Sequence, residues 1–157
     1  MFLYDLFPPE FIKVDLQAQD KDEVFEELVD FYCQADHANI REDVLEGLRE
    51  REAKMSTGIQ KGIAIPHGKT SSVESVKGVV GISRKGVDYD SLDGEPVYLL
   101  FMIITPLVDS EMQLRVLKRL AEILENPQFY IDLQAQSTAA GAYRVICKYE
   151  DILISLD

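Results

Sequence analysis

Val97-Tyr98-Leu99-Leu100-Phe101-Met102-Ile103-Ile104 carries an apolar or aromatic side chain at every position. A β-strand sends successive side chains to opposite faces, so a strand without a polar face needs cover on both sides. This segment therefore predicts a strand in the middle of a sheet lying between two layers of helices. Working outward, Val76 to Arg84 (VKGVVGISR) reads as a second strand, and Asp93-Gly94 as a tight turn between the two. Further upstream, Ile63-Ala64-Ile65 is a short strand ended by Pro66, with a polar stretch after it. Phe11 to Leu16 alternates enough to predict a short first strand.

Helical signals fill the intervals. Asp20 and Glu23 form a D-x-x-E capping pattern, and the helix behind it places Val24, Phe25, Leu28, Val29 and Tyr32 on one face. A second helix runs from Arg41 to Ala53 with Val44, Leu45 and Leu48 inward. Arg49 and Arg51 in its last turns suit the negative end of the helix dipole, a sufficient structural reason for both. Ser110 and Gln113 fit an S-x-x-Q capping box, opening a helix whose predicted buried stripe is Leu114, Leu117, Leu120, Ala121 and Leu124. Pro127 suits a first helical position, with Phe129, Tyr130 and Leu133 inward, and Ser137 is expected to cap a last helix through Ile146. Helices and strands alternate, which predicts an α/β fold with a single sheet sandwiched between helices, as one domain over residues 1–157.

The net charge of -12 opposes binding to a nucleic-acid backbone and is compatible with a basic protein partner. Met1 to Pro9 carries Asp5 and no basic leader, and the longest uncharged apolar run, Val97 to Val108, is interrupted by Thr105 and Pro106. It is too short to cross a bilayer as a helix, so no membrane insertion is expected. Two distant cysteines, Cys33 and Cys147, predict reduced thiols in a cytoplasmic protein. Cys33 and His37 lie four apart but have too few neighbours to complete a zinc site, so neither a metal nor a cofactor is expected.

The chemistry concentrates in Thr57-Gly58-Ile59-Gln60-Lys61-Gly62-Ile63-Ala64-Ile65-Pro66-His67-Gly68. Gly62 to Gly68 followed by Lys69-Thr70 invites comparison with a phosphate-binding loop, but five residues rather than four separate the glycines. Pro66 also removes a backbone donor where such a loop needs one. No G-x-S-x-G elbow is present for a serine hydrolase. His67 is left as a general base or as a nucleophile. A neutral imidazole attacks phosphorus well, and a donor that is already a phosphohistidine requires no nucleotide. Such a site needs a presented ring, a cation such as Arg51, and amide donors such as those of Gly58 or Gly68. One charge-assisted hydrogen bond of this kind contributes roughly 1.5–3 kcal/mol.

Arg51-Glu52, Ser56-Thr57-Gly58-Ile59 and Gly62-Ile63-Ala64-Ile65-Pro66-His67-Gly68-Lys69 together resemble the signature of type-2 EIIA domains of the bacterial phosphoenolpyruvate-dependent phosphotransferase system. This family includes the fructose/mannitol IIA domains and the nitrogen-regulatory IIA protein. The likeness continues through Gly86-Val87-Asp88, Leu92 to Val97, Leu100-Phe101, Pro106 and the helix from Leu114. It implies a mixed sheet between helices. It implies that His67 is phosphorylated, usually at Nε2, by the phosphocarrier HPr and passes the group to a IIB domain or protein. Arg51 matches the arginine that neutralises the phosphoryl charge. The family usually has a second active-site histidine where this chain has Gln113, whose amide can still donate a hydrogen bond but carries no charge. Three functions follow from the resemblance. The chain ends at Asp157 with no IIB or membrane IIC segment, which favours a free-standing nitrogen-regulatory type whose phosphorylation state controls partners. A sugar-specific IIA component serving a separate IIB is the second, and a degenerate binding module the third.

Overall fold

The computed structural model describes residues 1–156. The fully apolar segment forms strand β6 (Val97–Pro106). It pairs antiparallel with β5 (Lys77–Val87) on one side, and parallel with β3 (Ile63–Ala64) and then β4 (His67–Thr70) on the other. β1 (Ile12–Lys13) runs parallel to β5, and β2 (Gly58–Gln60) antiparallel to β3. The order among the described residues is β1-β5-β6-β3-β2, with β4 also on β6, so the sheet is mixed.

The two faces of β6 enter two separate cores. Leu99, Phe101 and Ile103 pack with α4 (Ser110–Leu124), α5 (Pro127–Gln134), α6 (Ala139–Ser155) and the short α1 (Leu3–Leu6). Leu100, Met102 and Ile104 pack with α2 (Lys21–Ala35) and α3 (Arg41–Glu52). The alternating register thus places a helical layer on each side, as the apolar segment required. Asp20 caps α2 by accepting from the Glu23 N–H at 2.9 Å, and Val24, Phe25, Leu28, Val29 and Tyr32 are all buried. Asn126 caps α5 from the position before Pro127.

Several expectations give way. The predicted first strand shrinks to Ile12–Lys13, because Pro9 to Phe11 forms a 3-10 turn. The helix at Leu3–Leu6 has no periodic signal. It exists because the fully buried Glu150 carboxylate accepts from the N–H groups of Leu3 (2.7 Å) and Tyr4 (2.9 Å), while Arg119 Nε donates to it at 3.2 Å. The polar stretch after Pro66 is the strand β4, since a polar segment can still pair with β6 through its main chain. α4 is capped by Asp109, which accepts from the Met112 N–H at 3.2 Å, so the Ser110–Gln113 box does not form. Its inward stripe is Val116, Leu120 and Ile123 with Met112, Leu117 and Leu124 partly buried, whereas Leu114 is 66% exposed and Ala121 also faces out. Thr138 rather than Ser137 caps α6, which runs on past Ile146 to Ser155. His37 lies beyond the end of α2 with φ of 49° and is exposed, so it shares no helix face with Cys33.

Candidate active site

Two glycines set the position of α3. A Cβ at Gly68 would lie 2.5 Å from the Gly47 carbonyl carbon, and one at Gly47 would lie 2.6 Å from the Lys69 carbonyl oxygen. Helix and strand therefore meet main chain to main chain, a separation that side chains would prevent. Arg51 follows Gly47 by one helical turn and so arrives beside the start of β4. Its Nη1 donates to the Met55 carbonyl at 2.8 Å, which tethers the guanidinium to the loop after the helix.

Opposite α3, the chain turns through Lys61 (φ 51°) and Gly62 (φ 83°), two consecutive residues with positive φ that join β2 to β3 as a two-residue hairpin loop. The strand then passes through Pro66 and delivers His67 half-buried at the head of β4. The His67 Nδ1 lies 2.7 Å from the Ile65 carbonyl oxygen. A carbonyl can only accept, so Nδ1 carries the proton and Nε2 keeps a lone pair. Burial pushes the imidazole pKa below its ordinary value, the Ile65 carbonyl opposes this, and Arg51 adds to it. Glu52 raises it in part and Lys69 lowers it further. The net direction is downward, which favours the neutral, nucleophilic ring near pH 7.

A cleft of about 240 Å³ joins His67, Arg51 and Gln113, the three residues singled out in the sequence, with Lys69, Gly68 and Leu107. Gln113 Nε2 makes a long contact of 3.4 Å to the buried Thr105 hydroxyl. Gly58, by contrast, lies away from the cleft lining, with a Cβ position crowded by Ser91 and Tyr89. Two residues that the sequence places in the motif without a role of their own also contribute here. Lys69 sits two positions after His67 on the same strand, hence on the same side of it, and its Nζ donates to Ser110 Oγ at 2.6 Å. Recognising β4 as a strand would have found it. Glu52 is the other, with a side chain only 6% exposed. It accepts from the Thr57 N–H (2.7 Å), the Thr57 hydroxyl (2.6 Å) and the Tyr89 hydroxyl (3.2 Å), and pairs with Lys21 Nζ at 3.1 Å. Burial, then the Glu52 charge, holds the Tyr89 phenol well above its ordinary range. This cluster pins the segment between α3 and β2.

Residues 5–149 match the family model described as "Phosphoenolpyruvate-dependent sugar phosphotransferase system, EIIA 2". The chain belongs to that family. As a phosphotransferase-system IIA protein it is 39% identical over 124 residues to the fructose-specific EIIABC component of Bacillus subtilis, covering 79% of this chain and 20% of that protein. The chain thus spans about one fifth of that relative's length. It is 32% identical over 146 residues to a nitrogen regulatory protein of Bradyrhizobium diazoefficiens, covering 93% of this chain and 95% of that one. The crystal structure of nitrogen regulatory protein IIA-Ntr from Neisseria meningitidis superposes with a TM-score of 0.83 at 29% identity, over 92% of this chain and 98% of that chain. IIA proteins of this family work in phosphoryl transfer through a phosphohistidine, and this one has the mixed sheet between helices that the resemblance implied. Among the described residues no helix is long and apolar enough to cross a membrane.

Proposed function

We propose that His67 Nε2 accepts a phosphoryl group from an HPr-type phosphocarrier, and that the protein acts as a nitrogen-regulatory-type IIA protein whose phosphorylation state controls partner proteins. One observation carries the first part. The Nδ1–H of His67 donates to the Ile65 carbonyl at 2.7 Å, leaving the nucleophilic nitrogen for the cleft that Arg51 lines. In-line transfer between two imidazoles depends on positioning and on charge stabilisation rather than on new covalent machinery in the protein. Arg51 supplies charge, and the Gln113 amide supplies a neutral hydrogen bond to a phosphoryl oxygen. The excess of acidic residues favours encounter with a basic carrier. Leu107 (59% exposed), Val108 (96%) and Leu114 (66%) form an apolar rim at the start of α4, suited to a docked protein.

The regulatory part draws on the likeness to nitrogen regulatory proteins across almost the whole chain. A second reading, a sugar-specific IIA component that passes the group to a IIB protein, draws on the higher identity to the fructose-specific component. Incubation with phosphoenolpyruvate, enzyme I and HPr tests the common step. Acid-labile phosphate is expected on the wild type and not on His67→Ala, and equal labelling of both overturns the assignment. Transfer onward to a IIB protein coupled to sugar uptake decides for the second reading. Capture of partners that differs between phosphorylated and unphosphorylated protein decides for the first.

A further inference from the structure

Lys69 is a cation placed directly beside the candidate phosphoryl acceptor. It lines the cleft beside His67, and its Nζ donates to the neutral hydroxyl of Ser110, the first residue of α4. None of the three cations on the cleft lining, Arg51, Lys54 and Lys69, joins an ion pair among the described residues. Glu50 is the one carboxylate residue on the cleft lining. Three cations from α3, the loop after it and β4 thus share a cleft with a single carboxylate residue, an arrangement suited to binding an anion.

We propose that Lys69 is a second phosphoryl-binding cation, which leaves Ser110 and contacts the phosphoryl oxygens when His67 is modified. The inference rests on the reading of His67 as the phosphoryl acceptor. In the transfer, a bond forms between His67 Nε2 and phosphorus while the N–P bond of the donor phosphohistidine breaks. The donor ring keeps that electron pair and the proton on its other nitrogen, and leaves as neutral imidazole. His67 keeps its Nδ1 proton on the Ile65 carbonyl, so its ring becomes cationic and the phosphoryl oxygens remain anionic. Arg51 and Lys69 face those oxygens from two sides, and the neutral Gln113 amide completes the donors. With glutamine at 113, a lysine at 69 supplies positive charge that the amide cannot.

The test compares wild type, Lys69→Met, Lys69→Arg and Ser110→Ala as acceptors from phosphorylated HPr, with folding checked by amide NMR spectra. The initial rate is expected to fall at least tenfold in Lys69→Met and to recover to within threefold of wild type in Lys69→Arg. A loss of less than twofold is expected in Ser110→Ala, which keeps the cation and removes only its resting partner. A Lys69→Met rate equal to wild type overturns the inference while leaving His67 phosphorylation standing. So does a Ser110→Ala defect as large as that of Lys69→Met, because it assigns Lys69 a purely structural role. Absence of label on wild type instead overturns the reading of His67 as an acceptor from HPr. A second measurement is independent of the carrier: after chemical phosphorylation of wild type by phosphoramidate, the Lys69 side-chain ammonium resonance is expected to shift. An unmoved resonance overturns the inference.

Discussion

Glu52 accepts from both the N–H and the hydroxyl of Thr57, at 2.7 and 2.6 Å, and so ties the last residue of α3 to the segment leading into β2. Its second hydroxyl donor, Tyr89, contacts Thr57 Oγ1 at 2.8 Å, closing a triangle of buried polar groups. Truncation of Glu52 leaves the Thr57 and Tyr89 groups without that acceptor. Glu52→Ala is expected to lower unfolding free energy by about 1–3 kcal/mol, the cost of an unsatisfied buried group. Urea denaturation measures it, and a loss below a few tenths of a kcal/mol contradicts the role given to the triangle. Because Arg51 precedes Glu52 in the chain, the same variant is expected to slow phosphoryl acceptance.

The pH dependence of His67 follows from its depressed pKa. In the unfolded chain the ring takes up a proton near the ordinary value of 6.5, and in the fold only at lower pH. Between those values the unfolded state binds more protons, so this group's contribution to stability is full above 6.5 and declines as pH falls toward the folded pKa. Phosphoryl acceptance is likewise expected to hold at pH 7 and to drop below 6.5 as the nucleophile protonates. NMR titration of the His67 ring protons checks both, and a midpoint above 6.5 is incompatible with them.

The contact between Gly47 and Gly68 leaves no room for a methyl group. Gly68→Ala is expected to push α3 off β4 and to destabilise the fold by about 1–3 kcal/mol, the usual cost of overpacking. It is also expected to depress phosphorylation through displacement of Arg51. Thermal melting and the HPr assay measure the two effects separately. An alanine variant with unchanged melting temperature and full activity refutes the close-approach argument.

The apolar rim is expected to behave differently. Val108→Asp and Leu114→Asp replace exposed side chains, so stability changes of about 0.5 kcal/mol or less are expected. Association with a docked carrier is expected to weaken at least tenfold, read as a raised KM for phosphorylated HPr with His67 chemistry intact. Wild-type KM values in both variants would remove this rim from the docking surface.

Much of the fold was legible because burial imposes a pattern. Val97 to Ile104 left no option but a strand covered on both faces, and the stripes of α2 and α3 named their buried residues correctly. What escaped was decided by groups far apart in sequence. α1 depends on Glu150, and β4 depends on pairing with β6, so neither has a local signature. The α4 stripe differs from the expected one because Leu114 is as apolar as Leu120 but is exposed, as are Leu107 and Val108. His67, Arg51 and Gln113, singled out by motif and resemblance, line one cleft. Lys69 joins them through the strand β4, which has no local signature, and its partner Ser110 lies 41 residues away.

The Ile65 carbonyl carries one more implication. It selects which nitrogen of His67 is left to react, yet it belongs to the main chain, and every natural amino acid at position 65 supplies the same oxygen. An alanine scan of the cleft would therefore pass over the group that chooses the reactive atom. That choice is written in the path of the backbone through Pro66, and only an edit of the peptide link itself, such as a thioamide or ester, would expose it.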